Sequence, residues 1–204
     1  MLAARNSSLA TVEALIGAGA KVGAVTPQGT TVLMQAVASG SIPIVAAILA
    51  AGADPNARDK SGASALSLAA SLGQPSMVRL LVAGKADVDA ADAHGTTPLL
   101  VAAAAGQTET VTTLLALGAM VDAVDAEGMT PLMEAARAVG GFDVASALLN
   151  AKAKPDLFSK AGCAGPDPPA RMLSPSLRSR RRPYAIPPSA HQAHPPCSRP
   201  LPPL

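Results

Sequence analysis

The 204-residue chain is rich in Ala, Leu and Val but has no Trp, one Tyr and two Phe, which excludes a core filled by aromatic bulk. Its net charge of +2 hides an asymmetry. Residues 1–156 hold nine Lys/Arg and thirteen Asp/Glu, a net −4, whereas residues 157–204 hold seven Lys/Arg and one Asp, a net +6. An acidic folded part and a basic tail are expected from such a split. Both cysteines, Cys163 and Cys197, lie in the tail, so residues 1–156 have no disulfide framework, and this fits a reducing compartment.

From the start of the chain, Met1–Val12 has an Arg, Ser and Thr but no acid. Organelle transit peptides share that composition, but a repeat helix that begins mid-repeat fits it better. Residues 22–53 carry no charge. Pro27, Gly29, Gln35, Gly40 and Pro43 break that stretch, and its strongly apolar part, Ile44–Ala53, is too short to span roughly 30 Å of hydrocarbon. No membrane insertion is expected.

Glycines recur at Gly29, Gly62, Gly95 and Gly128, each step being 33 residues. A second series, Gly19, Gly52 and Gly118, keeps the same register with Lys85 in its open slot. A third, Gly40, Gly73 and Gly106, continues at Gly140 after one extra residue. A fixed period of this length marks a stacked-repeat architecture. The best copies read Gly95-Thr96-Thr97-Pro98-Leu99 and Gly128-Met129-Thr130-Pro131-Leu132, each followed by an Ala-rich run. An apolar run then ends in Ile48-Leu49, Leu80-Leu81, Leu114-Leu115 or Leu148-Leu149. The unit closes with Ala51-Gly52-Ala53-Asp54-Pro55-Asn56-Ala57 in one copy and Leu117-Gly118-Ala119-Met120-Val121-Asp122-Ala123 in another.

Over residues 1–156 this pattern resembles the ankyrin repeat. Its unit is a turn, then Thr-Pro-Leu opening a short helix, then a second helix ending in Gly-Ala-Asp. The resemblance implies an all-α solenoid of about five helix-turn-helix repeats with a period of 33. The units are 1–25 (partial, lacking its turn and most of its first helix), 26–59, 60–92, 93–125 and 126–156. Helix pairs are expected near 31–39 and 42–51, 65–72 and 75–83, 98–105 and 108–117, and 131–139 and 142–150.

The residue chemistry supports these bounds. Thr97 and Thr130 can cap a helix through a side-chain oxygen, and Pro98 and Pro131 then sit in the first turn, where a missing N–H costs nothing. Thr31 and Ser64 keep the cap without the proline. Pro43 and Pro75 fall in the first turn of their second helices. Gly52 and Gly118 supply positive φ after the second helix, and Asp54, Asp122 and Asp125 begin the loop onward. Two departures from the family pattern predict a stack less stable than an idealised one. The slot after Thr-Pro-Leu, usually His, holds Met34, Ser67, Leu100 or Met133, which is expected to remove a hydrogen bond between turn and helix. Lys85 and Lys152 replace the Gly of Gly-Ala-Asp, and Gly84 is expected to take over in the first case. The last helix carries Val144, Leu148 and Leu149 with no clear polar cap. A longer array, a partner or self-association through the uncapped repeat ends is therefore expected to cover the ends.

Composition changes near Leu157. Residues 157–204 hold twelve of the nineteen prolines, so this proline-rich basic tail is expected to be disordered. Arg178-Ser179-Arg180-Arg181-Arg182-Pro183 is a basic cluster of the kind that binds nucleic acid or directs nuclear import. Arg199-Pro200-Leu201-Pro202-Pro203-Leu204 resembles a proline-rich ligand of SH3 domains but stops before the second spaced Pro. His191, His194 and Cys197 do not match a four-ligand zinc site, and His94 is expected to face solvent beside a turn. Neither a phosphate-binding loop nor a metalloprotease pair is present. No catalytic residue, cofactor, metal or small-molecule substrate is expected.

In the ankyrin family the partner usually meets the turn tips and the exposed side of the first helices. Carried onto this sequence, those positions are Gln28, Thr30, Ser39, Arg58, Lys60, Ser61, Ser71, Leu72, His94, Thr96, Val124, Glu127, Met129 and Arg137. The resemblance implies a non-catalytic protein-protein interaction scaffold or adaptor, cytoplasmic or nuclear, with a protein partner. Two other readings stay open. One is a regulatory or targeting segment of a larger enzyme or channel, and the other is nucleic-acid binding through the basic tail.

Overall fold

The structure is a computed structural model that describes residues 1–6 and 8–155. The expectations placed on residues 157–204 lie outside the described residues. These are the disordered tail, its basic cluster, its SH3-like end, and His191, His194 and Cys197.

Ten helices alternate in two layers among the described residues. The inner layer is α1 (Leu2–Asn6), α3 (Val32–Ser39), α5 (Ala65–Ser71), α7 (Pro98–Ala104) and α9 (Pro131–Arg137). The outer layer is α2 (Leu9–Gly17), α4 (Ile42–Ala50), α6 (Pro75–Ala83), α8 (Thr108–Ala116) and α10 (Phe142–Asn150). Each inner helix packs on its own outer partner and on the inner helices of the flanking repeats. No helix among the described residues is long and apolar enough to cross a membrane.

The residues explain why each element starts where it does. Thr31, Ser64, Thr97 and Thr130 each hold extended backbone and accept a hydrogen bond from the N–H three residues on, at Met34, Ser67, Leu100 and Met133. Such a cap contributes about 1 kcal/mol. The inner helices then present Ala36, Ala69, Ala70, Ala102, Ala103 and Ala135, all buried, and these small side chains let neighbouring repeats approach closely. The outer helices supply bulk. Ile48, Leu81, Leu114 and Leu148 are fully buried, as are Val45, Val78, Val111 and Val144. Each of these side chains contributes roughly 1.5–3 kcal/mol on burial. The result is one continuous core running along the stack.

Four expectations need correction. Helix α9 ends at Arg137 rather than at 139: Ala138 turns to extended backbone (φ −70°, ψ 142°). The one extra residue of this repeat is taken up there, Val139 is left fully exposed, and Gly141 tucks against the Ala135 carbonyl where a Cβ has no room. Gly84 does not take over from the missing glycine. It keeps φ −77°, while Lys85 and Lys152 themselves adopt φ 71° and 69°, at a cost of roughly 1–2 kcal/mol each. Ser67 restores a hydrogen bond where His was missing. Its Oγ accepts from the Ser64 N–H at 2.9 Å while the Ser64 Oγ accepts from the Ser67 N–H at 3.1 Å. This is a reciprocal capping box. Met34, Leu100 and Met133 are instead buried apolar fillers. Finally, Val144 and Leu148 are not open at the last helix, because both pack inward and are fully buried, while Leu149 is half-buried. Leu132 and Ala136 of that repeat are more open than their counterparts Leu99 and Ala103, which are fully buried.

Candidate interaction surface

The turns that precede the inner helices are built on one repeated device. Asp59, Asp92 and Asp125 stand 33 residues apart, with Thr26 in the first slot. In each turn this residue donates its N–H to the carbonyl four residues on, and its side-chain oxygen accepts the N–H of that same residue: Thr30, Ala63, Thr96 and Met129. At Asp59, burial pushes the carboxyl up. The Ser61 hydroxyl and the N–H groups of Ser61, Ala63 and Gly62 outweigh it, so its pKa falls below the usual aspartate value. The turns then stack, with the Lys60 N–H donating to the Gln28 carbonyl at 3.0 Å and the Ala126 N–H to the His94 carbonyl at 2.7 Å.

A second series at the same spacing links the loops at the other end of the unit. Asn56 donates to the Lys85 carbonyl at 3.1 Å and accepts from the Asp87 N–H at 2.8 Å. Asp89 accepts from the Met120 N–H at 2.9 Å, and Asp122 from the Lys154 N–H at 3.0 Å. These side chains join repeat to repeat.

Stacked turns and inner helices together form one surface. Within it, a groove of about 490 Å³ opens between the last two repeats. It is lined by Thr96, Leu100, Val101, Ala104 and Ala105 around α7, by Asp125 in the turn that precedes α9, and by Glu134 of α9. Among the described residues, no group of three or more His, Cys, Asp or Glu could hold a metal ion. The lining is apolar at its floor and acidic at its rim, an arrangement suited to binding.

The residues expected to meet a partner are distributed over this surface unevenly. Gln28, Lys60, Ser61, His94 and Glu127 are exposed at the turn tips, and Thr30, Thr96 and Met129 are half-buried on the returning arms. Leu72 and Val124 are open at 46% and 55% exposure. Several others are partly committed inside the fold. Arg58 donates to the Ala91 carbonyl of the next repeat. The hydroxyls of Ser39 and Ser71 donate back to Ala36 and Leu68, and that of Ser61 to Asp59. Arg137 pairs with Glu134 at 3.1 Å. Only Thr96 among them lines the groove. Leu100, Val101, Ala104, Ala105, Asp125 and Glu134 were not expected there. Their signal is faint: Val101, Ala104 and Ala105 share the open face of α7 by the helical spacing of three and four residues.

A family model described as ankyrin repeats (3 copies) matches residues 1–92 and again residues 66–159. The chain belongs to the ankyrin repeat family. No curated protein matches it. Ankyrin repeats generally mediate protein-protein interaction and are typically non-catalytic modules.

Proposed function

We propose that the chain is a non-catalytic scaffold or adaptor, cytoplasmic or nuclear, that binds a protein partner through its turn tips and the exposed side of its inner helices. The observation that carries this reading is the groove between α7 and α9. Its floor side chains Val101, Ala104 and Ala105 remain accessible although the inner helices bury Ala102 and Ala103 completely. Accessible apolar surface beside hydrogen-bonded, rigid turns is suited to docking, because little ordering entropy remains to be lost on binding. The half-committed side chains Arg58 and Ser61 stiffen the turns of that surface.

A photo-cross-linking residue placed at Ala104, on the inner face, or at Glu109, on the exposed side of α8, separates this reading from its rivals. Cross-linked partner from Ala104 and none from Glu109 is the expected pattern in cells. Equal capture from both positions, or capture from Glu109 alone, sinks it.

A further inference from the structure

We propose that the groove between α7 and α9 takes a basic, aliphatic peptide segment of a partner protein, with one cationic side chain set against Glu134 and Asp125. This rests on the inner face being the binding face and adds the chemistry of what it binds. The floor residues Leu100, Val101, Ala104 and Ala105 offer no polar side chain. The polar groups of the lining are the Thr96 hydroxyl and two carboxylates, and no Lys or Arg lines the groove. The Glu134 side chain is only 20% exposed, and its ion-pair partner Arg137 is 62% exposed. Asp125 engages the Glu127 and Met129 N–H groups through Oδ1 alone, which leaves Oδ2 outside those bonds.

Charge along the face favours the same occupant. Helices α7 and α9, with the turns that precede them, carry Asp92, Asp125, Glu127 and Glu134 against Arg137, a net −3. Helices α3 and α5, with the turns that precede them, carry Arg58 and Lys60 against Asp59, a net +1. Such a field draws a basic segment to the last two repeats and repels phosphate from them, so nucleic acid does not fit this groove. An acidic rim beside an aliphatic floor matches a cationic and an aliphatic side chain carried side by side. The cation would displace the exposed Arg137 and form charge-assisted hydrogen bonds in a partly dried site.

Fluorescence anisotropy with the full chain tests this. The probes are three short labelled peptides of alternating Leu with Arg, citrulline or Glu. The Arg-Leu peptide is expected to bind at least about tenfold more tightly than the other two. Glu134→Gln is expected to weaken it by about tenfold, Arg137→Ala to tighten it, and Glu109→Gln on the outer helix to leave it unchanged, with helical melts showing each variant folded. Equal binding of the Arg-Leu and citrulline-Leu peptides overturns the proposal, as does an equal loss in Glu134→Gln and Glu109→Gln, the mark of bulk charge alone. If the Arg-Leu peptide fails while the Ala104 cross-link still captures a partner, the chemistry proposed here is wrong and the surface is right. If both fail, the surface is wrong too.

Discussion

Thr110 occupies the slot that Ile44, Met77 and Val144 fill in the other repeats, all buried apolar side chains. It is 1% exposed, and its hydroxyl has no hydrogen-bond partner. A hydroxyl buried without a partner costs about 1–3 kcal/mol, while Val has nearly the same shape. Thr110→Val is therefore expected to stabilise the chain by about 1 kcal/mol, raising the melting midpoint by roughly 2–4 °C for a chain of this size. A lowered midpoint in calorimetry would show that the hydroxyl is bonded after all. At this scale the sequence misleads in both directions. Position 110 reads as an ordinary polar helix residue until the period aligns it with Met77. Lys85 reads as a lost glycine with a ready substitute beside it, yet the chain bends at Lys85 itself, because the helix end fixes which residue must take positive φ and Gly84 is one place too early.

Among the elements, the turn glycines and the helix-end glycines share one spacing but answer to different demands. Gly52 needs positive φ (86°) and faces open space, whereas Gly62 needs positive φ (84°) and stacks on the next turn, where a Cβ would lie 2.7 Å from the Ala93 nitrogen. Gly52→Ala is expected to cost about 1 kcal/mol from backbone strain. Gly62→Ala is expected to cost roughly 1–3 kcal/mol more, since backbone must move to make room. Urea midpoints of the two variants decide it, and equal losses would mean that turn stacking contributes nothing. The glycine period made the helix pairs legible to within two residues, because caps, prolines and positive-φ sites are local. The aspartate turns were less legible. Asp59, Asp92 and Asp125 keep the same period, but an acid at a turn also serves solubility, and its acceptor role shows only when the N–H groups around it are placed. The groove was least legible, since Val101, Ala104 and Ala105 carry no chemistry of their own and become a site only when Glu134 of the next repeat closes one wall.

The described repeats form a nearly one-dimensional stack, in which stability is a sum of repeat terms and nearest-neighbour interface terms. The loop side chains Asn56, Asp89 and Asp122 belong to the interface terms, since each reaches a backbone group of the following repeat. They are not equivalent. Asn56 makes two bonds, to the Lys85 carbonyl and the Asp87 N–H, and these flank a loop already strained by the positive φ of Lys85. Asp89 makes one, to the Met120 N–H. At about 0.5–1.5 kcal/mol per bond, Asn56→Ala is expected to cost about twice what Asp89→Ala does. Each loss should also be local. Weakening one interface lets the repeats on its two sides open separately, so in Asn56→Ala the amides of α3 and α4 should exchange out of step with those of α5 and α6. In Asp89→Ala the break should move one repeat along, between α5–α6 and α7–α8. Hydrogen exchange resolved by helix reads both effects. A uniform rise across all helices in both variants would show that the stack melts as one unit, and that these side chains set its total stability rather than the coupling between neighbours.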